Sequence, residues 1–310
     1  MVVNVILTSY VFDVNECLSK IIVLSEPMKL NMVKLLANYP KVKVLFRIIL
    51  FWIVFVGLFI TVSTLYSFFP ALNSRAQGLR NGITGTLIAF FVTWIFLKFE
   101  KRSFKEFGLF WERNSFFRFI KGILLGTAIF AVIFLSLLQW SPLQVLKNNK
   151  GVDIWMLVSY LSIYPLALME EIAFRSYSFL VLNKVFGLWV SLVISAVAFA
   201  LYHVAGGWNV YTAFMGPFVW AFVFGLAAVW SKGIAVPTGI HVALNFSQVF
   251  VGMKGNSASI WKLSFTKDAS KELIARTETI GELFQLLVLV VALIATWFFI
   301  RWHHPSCNKE

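Results

Sequence analysis

Eight apolar runs joined by short polar stretches limit what this chain can fold into: 47–69, 82–97, 119–139, 155–182, 188–205, 212–230, 235–252 and 283–300. Inside a bilayer no water reaches the backbone, so every N–H and C=O needs a partner within its own segment or in a closed barrel. Apolar runs approaching ~20 residues meet that demand as helices. The expected fold is all-α: a polytopic membrane protein with about eight transmembrane helices and an intramembrane polar site. It forms a single membrane domain over 43–302, with an N-terminal extension (1–42), a C-terminal tail (303–310) and no internal repeat. The second run is short, and only "SKGIAVP" parts the sixth from the seventh, so those ends are the least defined. Composition agrees, since 13% of residues are charged against about a quarter in a soluble domain.

The chain carries a formal net charge of +13. On a polar domain that would point to nucleic acid. Here the basic residues sit between apolar runs, so lipid is the expected surrounding and nucleic acid is not a partner. Lys20, Lys29, Lys34, Lys41, Lys43 and Arg47 lie at the start, and Lys98, Lys101, Arg102, Lys105, Arg113, Arg118 and Lys121 between the second and third runs. The loops on the other side hold only Arg75 and Arg80, then Lys147 and Lys150. This bias places the N-terminus and the 98–121 loop in the cytoplasm. The 253–282 loop then lies outside, its five basic residues partly offset by Asp268, Glu272, Glu278 and Glu282. Cys17 and Cys307 give neither a disulfide framework nor metal-ligand spacing. The start at Met28, "MKLNMVKLLANYPKVKVLFR", reads like the beginning of a membrane protein. Met28 or Met32 is therefore the expected initiator, the alternative being a short interfacial segment before it.

An ionisable residue inside a span costs at least roughly 2.5–3.5 kcal/mol on insertion scales, so each one marks a functional site by default. Three later spans carry such residues. "LALMEEIAFRSYSFL" brings Glu170, Glu171 and Arg175; "AVAFALYHVAGG" brings Phe199 and His203; "PTGIHVALNFSQ" brings His241 and Asn245. His303 and His304 read as an interfacial pair. Adjacent helical residues point about 100° apart, so Glu170 and Glu171 cannot share a face. Arg175 stands at i+4 from Glu171, in the favourable order for an ion pair, which reads as a structural lock. Glu170 has Phe174 at i+4 and no such partner, which leaves it available as a general base. A hairpin turning at "NKVFG" brings His203 level with it. His241 and Asn245, i and i+4, share one face. Alone they read as interhelical hydrogen-bonding glue; together with an acid and a base they can serve as two donors for a developing oxyanion. A simple count of turns puts His241 and His203 at different depths. Span six must therefore tilt, bend or cross incompletely, with Gly206, Gly207, Gly216, Pro217 and Gly233 as places for it.

At these residues the chain resembles the CPBP family of membrane proteases, which includes type II CAAX prenyl endopeptidases and bacterial bacteriocin-processing and self-immunity proteins. The family motifs EExxxR, FxxxH and HxxxN read here as Glu170–Arg175, Phe199–His203 and His241–Asn245, in order, within a core of about 155–250. The resemblance implies an eight-helix intramembrane endopeptidase. Glu170 and His203 would activate a water, His241 and Asn245 would stabilise the oxyanion, and Glu171, Arg175 and Phe199 would support the site. It also leaves a zinc reading open, with Glu170, His203 and His241 as three ligands and one free position. There is no HExxH, each ligand would come from a different helix, and hydrogen-bond donation explains HxxxN without a metal, so no cofactor is the preferred reading. The expected substrate is a membrane-associated peptide or protein, in some cases lipidated. It would reach a cavity among spans four to seven from the cytoplasmic side or laterally from lipid. The lysine-rich style points to a bacterial plasma membrane. Two rival readings are a non-proteolytic immunity or scaffold protein that only binds a partner, and a transporter using the same charges as a relay, for which an inverted repeat is missing.

Overall fold

The computed structural model describes residues 39–149, 153–254 and 259–303. The expectations for Met28, Met32, Cys17, Cys307, His304 and most of both terminal segments lie outside the described residues. The described residues are mostly helical: α1 (Pro40–Leu65), α2 (Ser74–Phe99), α3 (Ser115–Trp140), α4 (Ile154–Arg175), α5 (Tyr177–Phe186), α6 (Leu188–Ala205), α7 (Val210–Met215), α8 (Pro217–Ser231), α9 (Ala235–Phe250) and α10 (Lys271–His303). Among the described residues seven helical runs are long and apolar enough to cross a membrane, in places with two helices in one run. The molecule is an all-α polytopic membrane protein. Ile53, Leu87, Leu124, Val132, Leu135 and Val291 stand exposed on the outside. That surface would be a liability in water and is the expected coat of a protein in lipid.

Local sequence explains the starts of these helices. Pro40 and Pro217 occupy the first turns of α1 and α8, where a missing N–H costs nothing. Asn73 caps α2 by accepting from Arg75 N–H. Asp153 caps α4 by accepting from Met156 N–H at 2.6 Å and also meets Arg75 at 2.7 Å. The Met156 N–H first, and Arg75 after it, hold the Asp153 carboxyl below its ordinary value.

Two apolar runs that read as single spans are broken. The fourth breaks at Ser176, whose φ of −95° and ψ of −112° separate α4 from α5. Nothing local announces this break. The sixth breaks at Gly216, φ −106° and ψ −89°, so that α7 is a short piece and α8 restarts at Pro217. The depth mismatch between His203 and His241 called for a tilt, a bend or an incomplete crossing of span six; the structure breaks it at Gly216–Pro217, one of the places named for it, while Val210–Ser231 together remain long enough to span. Gly187, at φ +80°, closes the α5–α6 hairpin.

The seventh run becomes α9, with 16 residues. At 1.5 Å per residue it spans about 24 Å, short of a ~30 Å hydrocarbon core. It is an inner helix, with Val236 to His241 buried. Its backbone lies directly on α3. A Cβ on Gly239 would sit 2.2 Å from Phe119 O, one on Gly122 2.2 Å from Val236 O, and one on Gly126 2.7 Å from Ile240 O. Small residues on both faces allow this approach, and it fixes the height of α9.

The two ends of the bundle are clamped differently. At one end the α3–α4 and α9–α10 connections pair as a two-stranded antiparallel sheet, β1 (Leu143–Lys147) with β2 (Trp261–Phe265), Val145 opposite Leu263. At the other, Gly108 packs so tightly on Gly233 that a Cβ would lie 2.5 Å from its Cα. There Arg47 of α1 pairs with Glu100 after α2 at 2.9 Å, both buried, and the Tyr177 hydroxyl donates to the same carboxylate. Arg47 had a place in the sequence reading only as one of the orienting charges. The apolar core runs between these ends through Phe51, Phe55, Phe96, Ile172, Phe174, Phe179 and Phe199.

Candidate active site

The three motifs meet. A cavity of about 650 Å3 receives Glu170 from α4, Phe199 and His203 from α6, and His241 and Asn245 from α9. Sequence placed it among spans four to seven. The structure adds walls from α1 (Val56, Phe59, Ile60) and α10 (Gln285), so the enclosure is wider than expected.

The expected Glu171–Arg175 ion pair forms, but it is not the closest contact that Glu171 makes. Glu171 is fully buried, and its Oε1 accepts a hydrogen bond from His241 Nδ1 at 2.8 Å. Its other oxygen is 3.6 Å from Arg175 Nε, an ion-pair distance too long for a hydrogen bond. The closest partner of Glu171 is thus the histidine on α9, not the arginine one turn along. Nor is Glu170 without a partner, since its Oε2 lies 3.6 Å from His241 Nε2. The 100° offset between neighbouring residues, which keeps the two acids off a common face, is what lets them flank one imidazole. Each carboxylate faces a different ring nitrogen.

Arg175 is 1% exposed, and among the described residues its guanidinium nitrogens have no hydrogen-bond partner. Its charge rests on rings instead: the guanidinium carbon lies 4.1 Å from the Phe199 centroid and 5.3 Å from that of Phe224. This explains the phenylalanine of FxxxH. Phe199 supports Arg175 on one side and meets the His203 ring edge-on at 4.6 Å on the other. His203 Nδ1 lies 2.9 Å from Phe199 O and donates to it, because a carbonyl can only accept. That leaves Nε2 as the open nitrogen. His241 Nδ1 likewise donates to the Glu171 carboxylate, so donation at Nε2 as well requires the imidazolium form.

Two contributors escaped sequence reading. Phe224 of α8 stacks on His241 at 4.6 Å with 14° between the planes. One phenylalanine among 33 carries no signal of its own. Lys254, beyond the end of α9, donates to Asn245 Oδ1 at 2.6 Å and lines the cavity. Its only sequence signal is being a charge just past an apolar run.

Among the described residues no group of three His, Cys, Asp or Glu side chains is placed to hold a metal ion. Glu170, His203 and His241 share the cavity without forming a ligand cluster, so their placement does not fit the three-ligand zinc reading.

The fold and cavity define a class: an all-α membrane protein in which carboxylate, imidazole and amide groups from three helices converge inside the bundle. Residues 150–247 match the family model described as type II CAAX prenyl endopeptidase Rce1-like. The matched segment covers α4 through most of α9, the helices that carry all three motifs, and is consistent with the CPBP family. It supports an intramembrane endopeptidase of CAAX-protease-like kind. Comparison with curated proteins gives no match.

Proposed function

We propose that the protein hydrolyses a peptide bond of a membrane-associated peptide or protein within this cavity, without a metal. The observation that carries the proposal is the pair Glu170–Glu171 flanking His241 at the wall of a cavity that also receives His203 and Asn245.

In this reading a water sits between Glu170 and His203. It donates one hydrogen to the Glu170 carboxylate and the other to His203 Nε2, whose lone pair is free because Nδ1 is committed to Phe199 O. Glu170 takes the proton as the water oxygen bonds to the substrate carbonyl carbon. The carbonyl oxygen becomes an anion and accepts from Nε2–H of the His241 imidazolium and from the Asn245 amide. Glu171 accepts from Nδ1–H and supplies the compensating charge. The C–N bond then breaks as Glu170 passes its proton to the leaving nitrogen. Arg175, Phe199 and Phe224 hold Glu171 and the two rings in place. The aliphatic and aromatic walls from α1 and α8 suit an apolar or lipid-modified segment. The charge bias of the loops favours a cytoplasmic N-terminus.

The test is cleavage of a membrane-peptide library by wild type and Glu170→Gln, each with and without a chelator. The expected result is cleavage by wild type that survives the chelator and falls at least about 100-fold in the variant. Full activity of Glu170→Gln removes the proposed base. Loss with chelator and recovery with zinc replaces the mechanism by a metal-dependent one. A folded wild type that cleaves nothing in the library favours a partner-binding immunity or scaffold role.

A further inference from the structure

We propose that Lys254 is a positioning residue that fixes which end of the Asn245 amide faces the cavity, an inference that rests on the oxyanion role proposed above. An asparagine side chain presents an oxygen or an NH2 group at nearly the same place, and only its hydrogen-bond partners decide which. A lysine ammonium has donors and no acceptor. With Lys254 Nζ 2.6 Å away, the partner atom must be Oδ1. The NH2 group is thereby turned the other way. Among the described residues nothing accepts from it, and Asn245 lines the same cavity one helical turn beyond His241. The contact is charge-assisted. An ammonium on the amide oxygen also polarises the amide and strengthens its N–H groups as donors. One contact thus both orients the donor and sharpens it.

The lysine is delivered by a built turn. Met253 N–H donates to Gln248 O at 2.9 Å and Gly252 N–H to Val249 O at 3.1 Å, the paired bonds of a Schellman stop at the end of α9. Gly252 has φ +83°, and a Cβ there would lie 2.7 Å from Trp261 O of β2. The helix end, the left-handed glycine and the strand behind it reverse the chain. Lys254 returns to a residue nine positions earlier in sequence.

The experiment uses the full chain in detergent or liposomes and a peptide that wild type cleaves. It compares Lys254→Ala, Lys254→Arg, Asn245→Ala and the double variant Lys254→Ala/Asn245→Ala, with melting temperatures to confirm folding. Losing one oxyanion donor costs about 100–1,000-fold, which is the expectation for Asn245→Ala. Lys254→Ala leaves the donor present but unoriented, and kcat should fall about tenfold, within that ceiling, with KM unchanged. Lys254→Arg should recover most of the rate. In the Asn245→Ala background the lysine change should have no further effect. Lys254→Ala at the wild-type rate while Asn245→Ala is slow overturns this proposal alone. A raised KM with unchanged kcat, or an equal loss in the Asn245→Ala background, overturns it too, because the lysine then acts on substrate or elsewhere. Asn245→Ala at the wild-type rate instead overturns the oxyanion reading on which this proposal stands.

Discussion

Removing the negative charge from Glu171 while keeping its shape gives the sharpest test of how the buried charges hold the fold. In Glu171→Gln the amide oxygen can still accept from His241 Nδ1, so that 2.8 Å hydrogen bond has a replacement. Arg175 has none. It is buried, lacks a hydrogen-bond partner among the described residues, and has Glu171 as its ion-pair partner at 3.6 Å. At that separation two unit charges attract by about 4–5 kcal/mol at an effective dielectric near 20. This agrees with the roughly 3–5 kcal/mol seen when one partner of a buried pair is removed. The rings of Phe199 and Phe224 retain a part of Arg175's stabilisation, of order 1–2 kcal/mol. A loss of about 3 kcal/mol remains, or a fall of roughly 5 °C in melting temperature for a chain of this size. The opposite change, Arg175→Met, leaves Glu171 with its histidine and should cost less. The double change, Glu171→Gln with Arg175→Met, removes both charges and their desolvation together, so it should be more stable than the sum of the two losses implies. The assay is thermal unfolding in one detergent at one scan rate, on all four proteins. Strictly additive losses, or a greater loss for Arg175→Met than for Glu171→Gln, would refute the reasoning.

Two further outcomes are expected. Gly239→Ala should lower the melting temperature by several degrees, because its Cβ meets backbone atoms of α3 that cannot swing aside; overpacking of this kind costs about 1–3 kcal/mol. Gly57→Ala on α1 is the control, since its Cβ meets nothing within 4 Å, and its melting temperature should hold or rise. The Asp153 cap makes a pH-dependent contribution. Its folded pKa lies below the unfolded one, so its stabilisation is present above the unfolded value near 3.9 and is lost as pH falls through the folded value. The difference in melting temperature between wild type and Asp153→Asn should therefore shrink on acidification from about pH 6 to pH 3. A difference that is flat over that range counts against the cap.

What could be read from sequence divides along a physical line. Contacts within one helix repeat at fixed spacing, so HxxxN and FxxxH could be placed on single faces, and the turn at Gly187 followed from the hairpin. Depth could be counted, which is why some irregularity of span six was foreseeable, but not which of Gly206, Gly207, Gly216, Pro217 and Gly233 would carry it. Contacts between helices depend on rotation about each axis and on side-chain volumes summed over many neighbours. The ion pair of Glu171 with Arg175 was therefore visible at i+4, while its closer contact with His241, 70 residues away, was not. For the same reason Glu170 looked alone, Phe224 was invisible among its kind, and the Arg47–Glu100–Tyr177 cluster passed unnoticed. The break at Ser176 has no glycine or proline to mark it.

The contact of α3 on α9 has a consequence for engineering. The segment that carries every motif, 150–247, ends within α9, and α3 lies wholly before it. Yet Gly122 forms the mould against which Gly239 seats, two residues before His241, and Gly126 the one against which Ile240 and Ala243 seat on either side of it. The motif-bearing segment is therefore not a portable cassette. Transplanted into a scaffold whose third helix bears alanine or leucine at those two places, it would keep all three motifs in its primary structure while its second histidine was lifted away from the carboxylates. A chimera that respects the physics must exchange α3 along with it.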